Sequence, residues 1–127
     1  MQKKQNILIV EDDELTLKFL SKYLSRYFNV TLAQTPDIFY EVIKSNKFDL
    51  VLMDISLRNK IDGLQLTKEL RNNDEYKNCP IVVLTANVLK RDEKAAFEAG
   101  VTKFLRKPID NQILLDELLN SVEPPGL

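Results

Sequence analysis

The sequence predicts an α/β fold: a doubly wound, five-stranded parallel sheet with five helices. Two observations carry this. First, Ile7-Leu8-Ile9-Val10, Leu50-Val51-Leu52-Met53 and Ile81-Val82-Val83-Leu84 are short apolar runs without polar alternation, the pattern of strands covered on both faces. Second, such runs alternate five times with stretches of helical periodicity, which argues for parallel strands joined by helical crossovers.

The elements follow in order. The first strand, Ile7–Val10, runs directly into Glu11-Asp12-Asp13. Leu15, Phe19, Tyr23 and Tyr27 then recur every four residues, with Leu20 and Leu24 beside them. This predicts a helix with one apolar stripe and Lys18, Lys22 and Arg26 on other faces. Asp12 or Asp13 is placed to cap it. Val30–Ala33 reads as a short second strand. Thr35 and Pro36 open a second helix whose apolar face is Ile38, Phe39, Val42 and Ile43. The third strand, Asp49–Met53, ends at Asp54. A polar loop from Ser56 to Asp62 follows, and Gly63 precedes a helix carrying Leu64, Leu66, Thr67 and Leu70. Arg71–Asn78 reads as a polar connection. Pro80–Leu84 is the fourth strand, ending at Thr85-Ala86-Asn87. A charged helix runs to Ala99, with Gly100 as its C-terminal cap. Val101–Leu105 is the fifth strand, ending at Arg106-Lys107-Pro108. Asp110 or Asn111 opens the last helix, with Ile113, Leu114, Leu115, Leu118 and Leu119. Residues 1–122 form one domain, and 123–127 a tail or the start of a linker.

Composition narrows the function. The 127 residues suit a single core, and 44% hydrophobic with 29% charged residues is the balance of a globular protein. A net charge of −1 and the lack of a basic run give no reason to expect nucleic-acid binding. The apolar runs are too short to span a bilayer, and the acid-terminated start is no signal peptide. With one cysteine, Cys79, no internal disulfide forms, and a cytoplasmic location is expected. Cys79 lacks a CxxC partner and reads as a small residue at the start of a strand. There is no histidine, which removes the usual general base and any Ser-His or Cys-His pair. Chemistry falls to carboxylates, lysine, hydroxyls and backbone groups.

Those groups stand at the carboxyl ends of the strands, where open α/β sheets bind ligands. Glu11 and Asp12 follow the first strand, Asp54 the third, Thr85 the fourth and Lys107 the fifth. In the strand order 2-1-3-4-5, the first and third strands are neighbours. Three carboxylates then gather, and a divalent cation relieves their repulsion. An all-oxygen set selects Mg²⁺, with Mn²⁺ or Ca²⁺ as substitutes. Lys107, the Thr85 hydroxyl and the Ala86 N–H at a helix start suit a phosphoryl group. Acid, cation, lysine and hydroxyl without a base describe phosphoryl transfer, with Asp54 as the nucleophile. Singly, each has a plainer role: Asp serves turns, Glu11-Asp12-Asp13 and Thr85 suit helix caps, and Lys107 suits a surface. Their agreement at the strand ends favours the site.

From Asn6 to about Val122 the chain resembles the CheY-like receiver domain of two-component response regulators. The motifs are Ile7-Leu8-Ile9-Val10-Glu11-Asp12-Asp13, Leu52-Met53-Asp54, Asp62-Gly63, Leu84-Thr85-Ala86 and Phe104-Leu105-Arg106-Lys107-Pro108. The resemblance implies a flavodoxin-like fold and makes Asp54 the phosphoacceptor for a sensor histidine kinase or histidine phosphotransfer protein. It implies Mg²⁺ held by Asp12, Asp54 and the Ser56 carbonyl, with Glu11 acting through a bound water. It also implies that Lys107 pairs with Asp54, that its bond to Pro108 is cis, and that Thr85 and Phe104 form a switch. The switched surface, the fourth helix, fifth strand and fifth helix, controls a downstream protein or a fused output domain; no nucleic acid or membrane contact is implied.

The chain departs from the family at Arg58, where many members have proline, and in a loop one residue longer after Asp54. Phe104 replaces a commoner tyrosine, and Gly100-Val101-Thr102-Lys103 lacks an acidic pair. Ser56 and Asn87 occupy variable positions that influence phosphoryl lifetime. The alternatives are a phosphorylation-independent pseudo-receiver and a flavodoxin-like electron carrier. Against the second, the strand ends lack a Ser/Thr/Gly-rich flavin phosphate loop. The missing G-x-x-x-x-G-K-[ST] excludes a P-loop nucleotidase.

Overall fold

The computed structural model describes residues 4–55, 62–86 and 89–122. Five strands, β1 (Gln5–Val10), β2 (Phe28–Ala33), β3 (Leu50–Ile55), β4 (Ile81–Thr85) and β5 (Lys103–Arg106), form one sheet. All pairings are parallel, and the order is β2-β1-β3-β4-β5, as the sequence predicts. Five helices connect and close it: α1 (Glu14–Leu24), α2 (Pro36–Ser45), α3 (Gly63–Arg71), α4 (Lys90–Ala99) and α5 (Asn111–Val122). Among the described residues no helix is long and apolar enough to cross a membrane.

Strand alternation splits the interior into two cores. Ile7, Ile9, Leu50, Leu52, Val82 and Leu84 meet Leu17, Leu20 and Leu24 of α1 and Leu114, Leu115 and Leu118 of α5. Leu8, Val10, Val51, Met53, Ile81 and Val83 meet Phe39 of α2, Leu66 and Leu70 of α3, and Ala96 of α4. Burying each such aliphatic side chain contributes roughly 1.5–3 kcal/mol, so a central strand buried on both faces needs no polar alternation.

Local chemistry sets the helix ends. The Asp13 carboxylate accepts from Thr16 N at 2.9 Å and from the Thr16 hydroxyl at 2.6 Å. This makes Asp13, not Asp12, the cap of α1. Thr35 caps α2 ahead of Pro36, Asp62 caps α3, and the Asp110 carboxylate accepts from Gln112 N and Ile113 N. Gly100 ends α4 in the left-handed region at φ 115°. A Cβ there would lie 2.6 Å from Arg71 Cγ.

Several expectations change. Only part of the α1 stripe faces the core: Leu20 and Leu24 are buried together with Leu17, and Tyr23 packs half-buried against them, whereas Leu15 is 76%, Phe19 54% and Tyr27 40% exposed. Ile113 of α5 is likewise 55% exposed. The polar connection after α3 contains a 3-10 turn, Asp74–Tyr76, that buries Tyr76. Arg71 ends α3 and donates to the carbonyls of Gly100 (2.9 Å) and Tyr76 (2.7 Å). β3 extends through Asp54 to Ile55, so Asp54 sits inside the strand's paired end, opposite Leu84.

Candidate phosphoryl-acceptor site

The alternation that builds the cores also aims the site. Leu50 and Leu52 face α1 and α5, so Asp54 faces them too. The same two-residue step carries Ile7 and Ile9 on to Glu11, and Leu105 on to Lys107. These three side chains from three strand ends converge. Lys107 Nζ lies 2.5 Å from Asp54 Oδ1, and Asp54 and Glu11 are 1% and 3% exposed. Lys107 N donates to Thr85 O at 2.8 Å, which continues the β4–β5 pairing up to the lysine, and the Lys107–Pro108 peptide is cis.

Electrostatically the crevice holds more acid than base. Burial first, then the charge of Asp54, push the Glu11 carboxyl up to about 8. Burial also raises the Asp54 carboxyl, although Lys107 and a hydrogen bond with Glu11 draw it down. Two buried carboxyls in contact cannot both ionise freely beside one ammonium. Burial and the neighbouring acid thus disfavour the charged form of Glu11, and a cation's charge would offset both.

That imbalance and an oxygen-only donor set fit a hard divalent cation. Asp12 is half-buried, and its side chain bonds that of Glu11. Asp13 is committed to the α1 cap, and its N–H donates to Glu11 Oε2 at 3.1 Å. Among the described residues no three acids close into a metal-holding group. Mg²⁺ needs only one or two protein carboxylates, completing its shell with water and phosphoryl oxygens, so Glu11, Asp12 and Asp54 suit it. Ser56, Arg58 and Asn87 lie outside the described residues.

Thr85 follows Ile81 and Val83 to the other face of the sheet, the face of α4, and is 1% exposed. Phe104, paired in register with Val83, packs half-buried against that same core. Arg106 covers the ring, its guanidinium carbon 5.4 Å from the centroid, and Arg106 Nη2 meets Glu93 Oε1 of α4 at 2.6 Å. Ala86 is exposed and lies four residues before α4 begins at Lys90, so its N–H does not stand at a helix start. Beside Asp54 opens a mostly apolar cavity of 450 Å³, with Thr16, Phe19, Leu20, Lys107, Ile109 and Leu114 in its wall. Phe19 in that wall is exposed, and Leu15 and Ile113 are further exposed apolar residues of the same two helices, α1 and α5.

The sequence matches the family model of the response regulator receiver domain over residues 7–119. The chain belongs to that family. It is 37% identical to the transcription factor prr1 of Schizosaccharomyces pombe over 96% of this chain, which spans only 23% of prr1. It is 30% identical to the polar-differentiation response regulator DivK of Brucella anthropi, covering 83% of this chain and 85% of DivK. Among solved structures, the receiver domain of the Pseudomonas aeruginosa sensor histidine kinase PA1611 superposes with a TM-score of 0.81. That domain is 30% identical, covers 94% of this chain and 98% of its own, and has magnesium coordinated in its active-site cleft.

Within this receiver domain, three features escaped the sequence reading. Arg106 was read only as part of a motif, yet it covers Phe104 and ties β5 to α4. Gln34 donates from Nε2 to Asp12 O at 3.3 Å. Phe19 of the α1 stripe stands in the apolar wall beside Asp54. The strand-2 end and the fifth-strand basic residue were visible signals, but their partners lie far away in sequence.

Proposed function

We propose that this receiver domain accepts a phosphoryl group on Asp54 from a phosphohistidine donor and thereby switches its α4–β5–α5 surface. The observation that carries this reading is the buried Asp54 carboxylate held 2.5 Å from Lys107 Nζ, with Asp54 and Glu11 at the ends of the adjacent parallel strands β3 and β1. The Asp54 carboxylate oxygen attacks phosphorus, an O–P bond forms, and the P–N bond to the donor imidazole breaks. With a proton from solvent already on its other ring nitrogen, the donor imidazole departs neutral. Lys107 neutralises charge on the phosphoryl oxygens. Thr85 turns its hydroxyl toward them, and the Ala86 N–H adds a donor. Asp12, Asp54 and the Ser56 carbonyl, with Glu11 through a water, would hold Mg²⁺, or Mn²⁺ or Ca²⁺ in its place, and the ion would supply the remaining positive charge.

The apolar wall formed by Phe19, Leu20 and Ile109, with exposed Leu15 and Ile113, suits the donor: a sensor histidine kinase or a histidine phosphotransfer protein. Movement of Thr85 lets Phe104 follow, and the altered surface controls a downstream protein or a fused output domain. The receiver lies within residues 1–122, with the cytoplasm as its site of action.

Incubation with Mg²⁺ and acetyl phosphate tests the reading by intact mass. Wild type gains one phosphoryl group, labile in base, and Asp54→Asn gains none. Equal behaviour of the two proteins, together with partner affinity indifferent to Mg²⁺, would instead establish the pseudo-receiver reading.

A further inference from the structure

We propose that Gln34 is a positioning residue for the cation-binding acid Asp12, an inference that rests on the cation reading of the site above. The acid turn is held from both sides. At its start, Glu11 N donates to Ala33 O at 3.1 Å, prolonging the β1–β2 pairing past Val10 and Ala33. At its end, Asp13 is fixed by its bonds to Thr16, and its own N–H is held by Glu11 Oε2. Asp12 stands between these two fixed neighbours. Its carbonyl oxygen accepts the Gln34 Nε2–H at 3.3 Å.

The residue type matters. Gln34 is the first residue after β2, half-buried, and its backbone leaves the sheet toward Thr35, the cap of α2. A neutral amide there fixes the peptide of Asp12 without adding charge beside the crevice. A lysine would weaken cation attraction, and a glutamate would offer the carbonyl no donor. An asparagine is one methylene, about 1.5 Å, too short to span a gap already near the outer limit of a hydrogen bond. Partners that orient a metal ligand act on metal affinity, commonly by about one order of magnitude or more. A single neutral hydrogen bond through the backbone belongs at the lower end of that range.

The test is a Mg²⁺ titration followed by backbone amide shifts, run on wild type, Gln34→Ala and Gln34→Asn well below their melting temperatures. Initial rates with acetyl phosphate are measured across the same Mg²⁺ range. The expected result is a Kd for Mg²⁺ raised about 2–13-fold in both variants, as loss of one bond worth about 0.5–1.5 kcal/mol implies. The rate at saturating Mg²⁺ stays within about twofold of wild type. A loop tie that only stabilises the fold would lower the melting temperature and leave the Kd alone. A Kd unchanged within error in both variants, or an Asn variant that behaves as wild type while Ala does not, overturns the role of Gln34. If wild type itself shows no Mg²⁺-dependent shifts, the cation reading falls first and this inference falls with it.

Discussion

At the scale of single residues, burial decides which side chains are chemical and which are structural. Glu11 and Asp54 are buried acids in contact, whereas Cys79 is a buried thiol among apolar neighbours of the α2–α3–α4 core. Burial pushes the Cys79 thiol from an ordinary 9.0 up to about 11. The fold therefore holds its proton more tightly than the unfolded chain does. Below pH 9 both states keep the proton and Cys79 adds no pH dependence. Between about 9 and about 11 the unfolded chain ionises first, so stability falls as pH rises, and above about 11 the effect levels off. Denaturation of wild type and Cys79→Ala across pH 7.5–11.5 isolates this contribution as the difference between the two curves. Their gap is expected to shift against wild type only above pH 9; parallel curves throughout would refute it. The same burial keeps the thiol slow toward alkylating reagents at pH 8 in the native state.

Elements show where the sequence was legible and where it was not. Strand ends were legible because a run buried on both faces has a visible end, and the period of two then fixes the direction of the next side chain. Asp54, Glu11 and Lys107 could thus be grouped before any geometry was known. Helix facing was not legible in α1. Leu15 and Phe19 lie on one side and Leu17, Leu20 and Leu24 on another, about 150° apart at about 100° per residue. Both are apolar, and nothing local says which one meets the sheet. The exposed Phe19 lines the cavity beside Asp54, so the sequence carried a binding signal inside its apolar patterning. Arg71 was illegible for another reason: its acceptors are backbone carbonyls, which every residue has.

Arg71 and Gly100 also allow a quantitative test at the same scale. The guanidinium bonds Gly100 O, Tyr76 O and Lys77 O, joining the C-terminal ends of α3, the 3-10 turn and α4. A cation there complements the partial negative charge of helix ends, and α4 has no basic residue in its own last turn. Because the arginine is tied at its head, its Cγ cannot swing away from an added methyl at Gly100. Gly100→Ala is expected to cost about 2–4 kcal/mol, combining left-handed backbone strain with that contact. In an Arg71→Ala background the contact is gone and only the strain, about 1–2 kcal/mol, remains. Chemical denaturation of the four proteins gives the coupling directly. Equal costs in both backgrounds would mean that the arginine yields freely.

Over the whole molecule, the sheet separates two events that the proposed function must join. Asp54, Glu11 and Lys107 face α1 and α5, whereas Thr85 and Phe104 face α4. A signal therefore has to pass through the sheet's edge rather than across an open cavity. The C-terminal end of β4 is the place for this. Thr85 O accepts the N–H of Lys107 at 2.8 Å, while its side chain sits on the face where Phe104 packs and Arg106 bridges to Glu93. Thr85→Val keeps the shape of this buried residue and removes only the hydroxyl. The acid, lysine and cation groups remain, so beryllofluoride with Mg²⁺ should still perturb the amides of Glu11, Asp54 and Lys107. The accompanying shifts at Phe104, Arg106 and along α4, present in wild type, should shrink to a small fraction. The exchange rates of the α4 amides, which move with those shifts in wild type, should stay at their unliganded values. If α4 in Thr85→Val responds as fully as in wild type, the hydroxyl is not the link, and the coupling must run through the Lys107–Thr85 backbone bond that both proteins share.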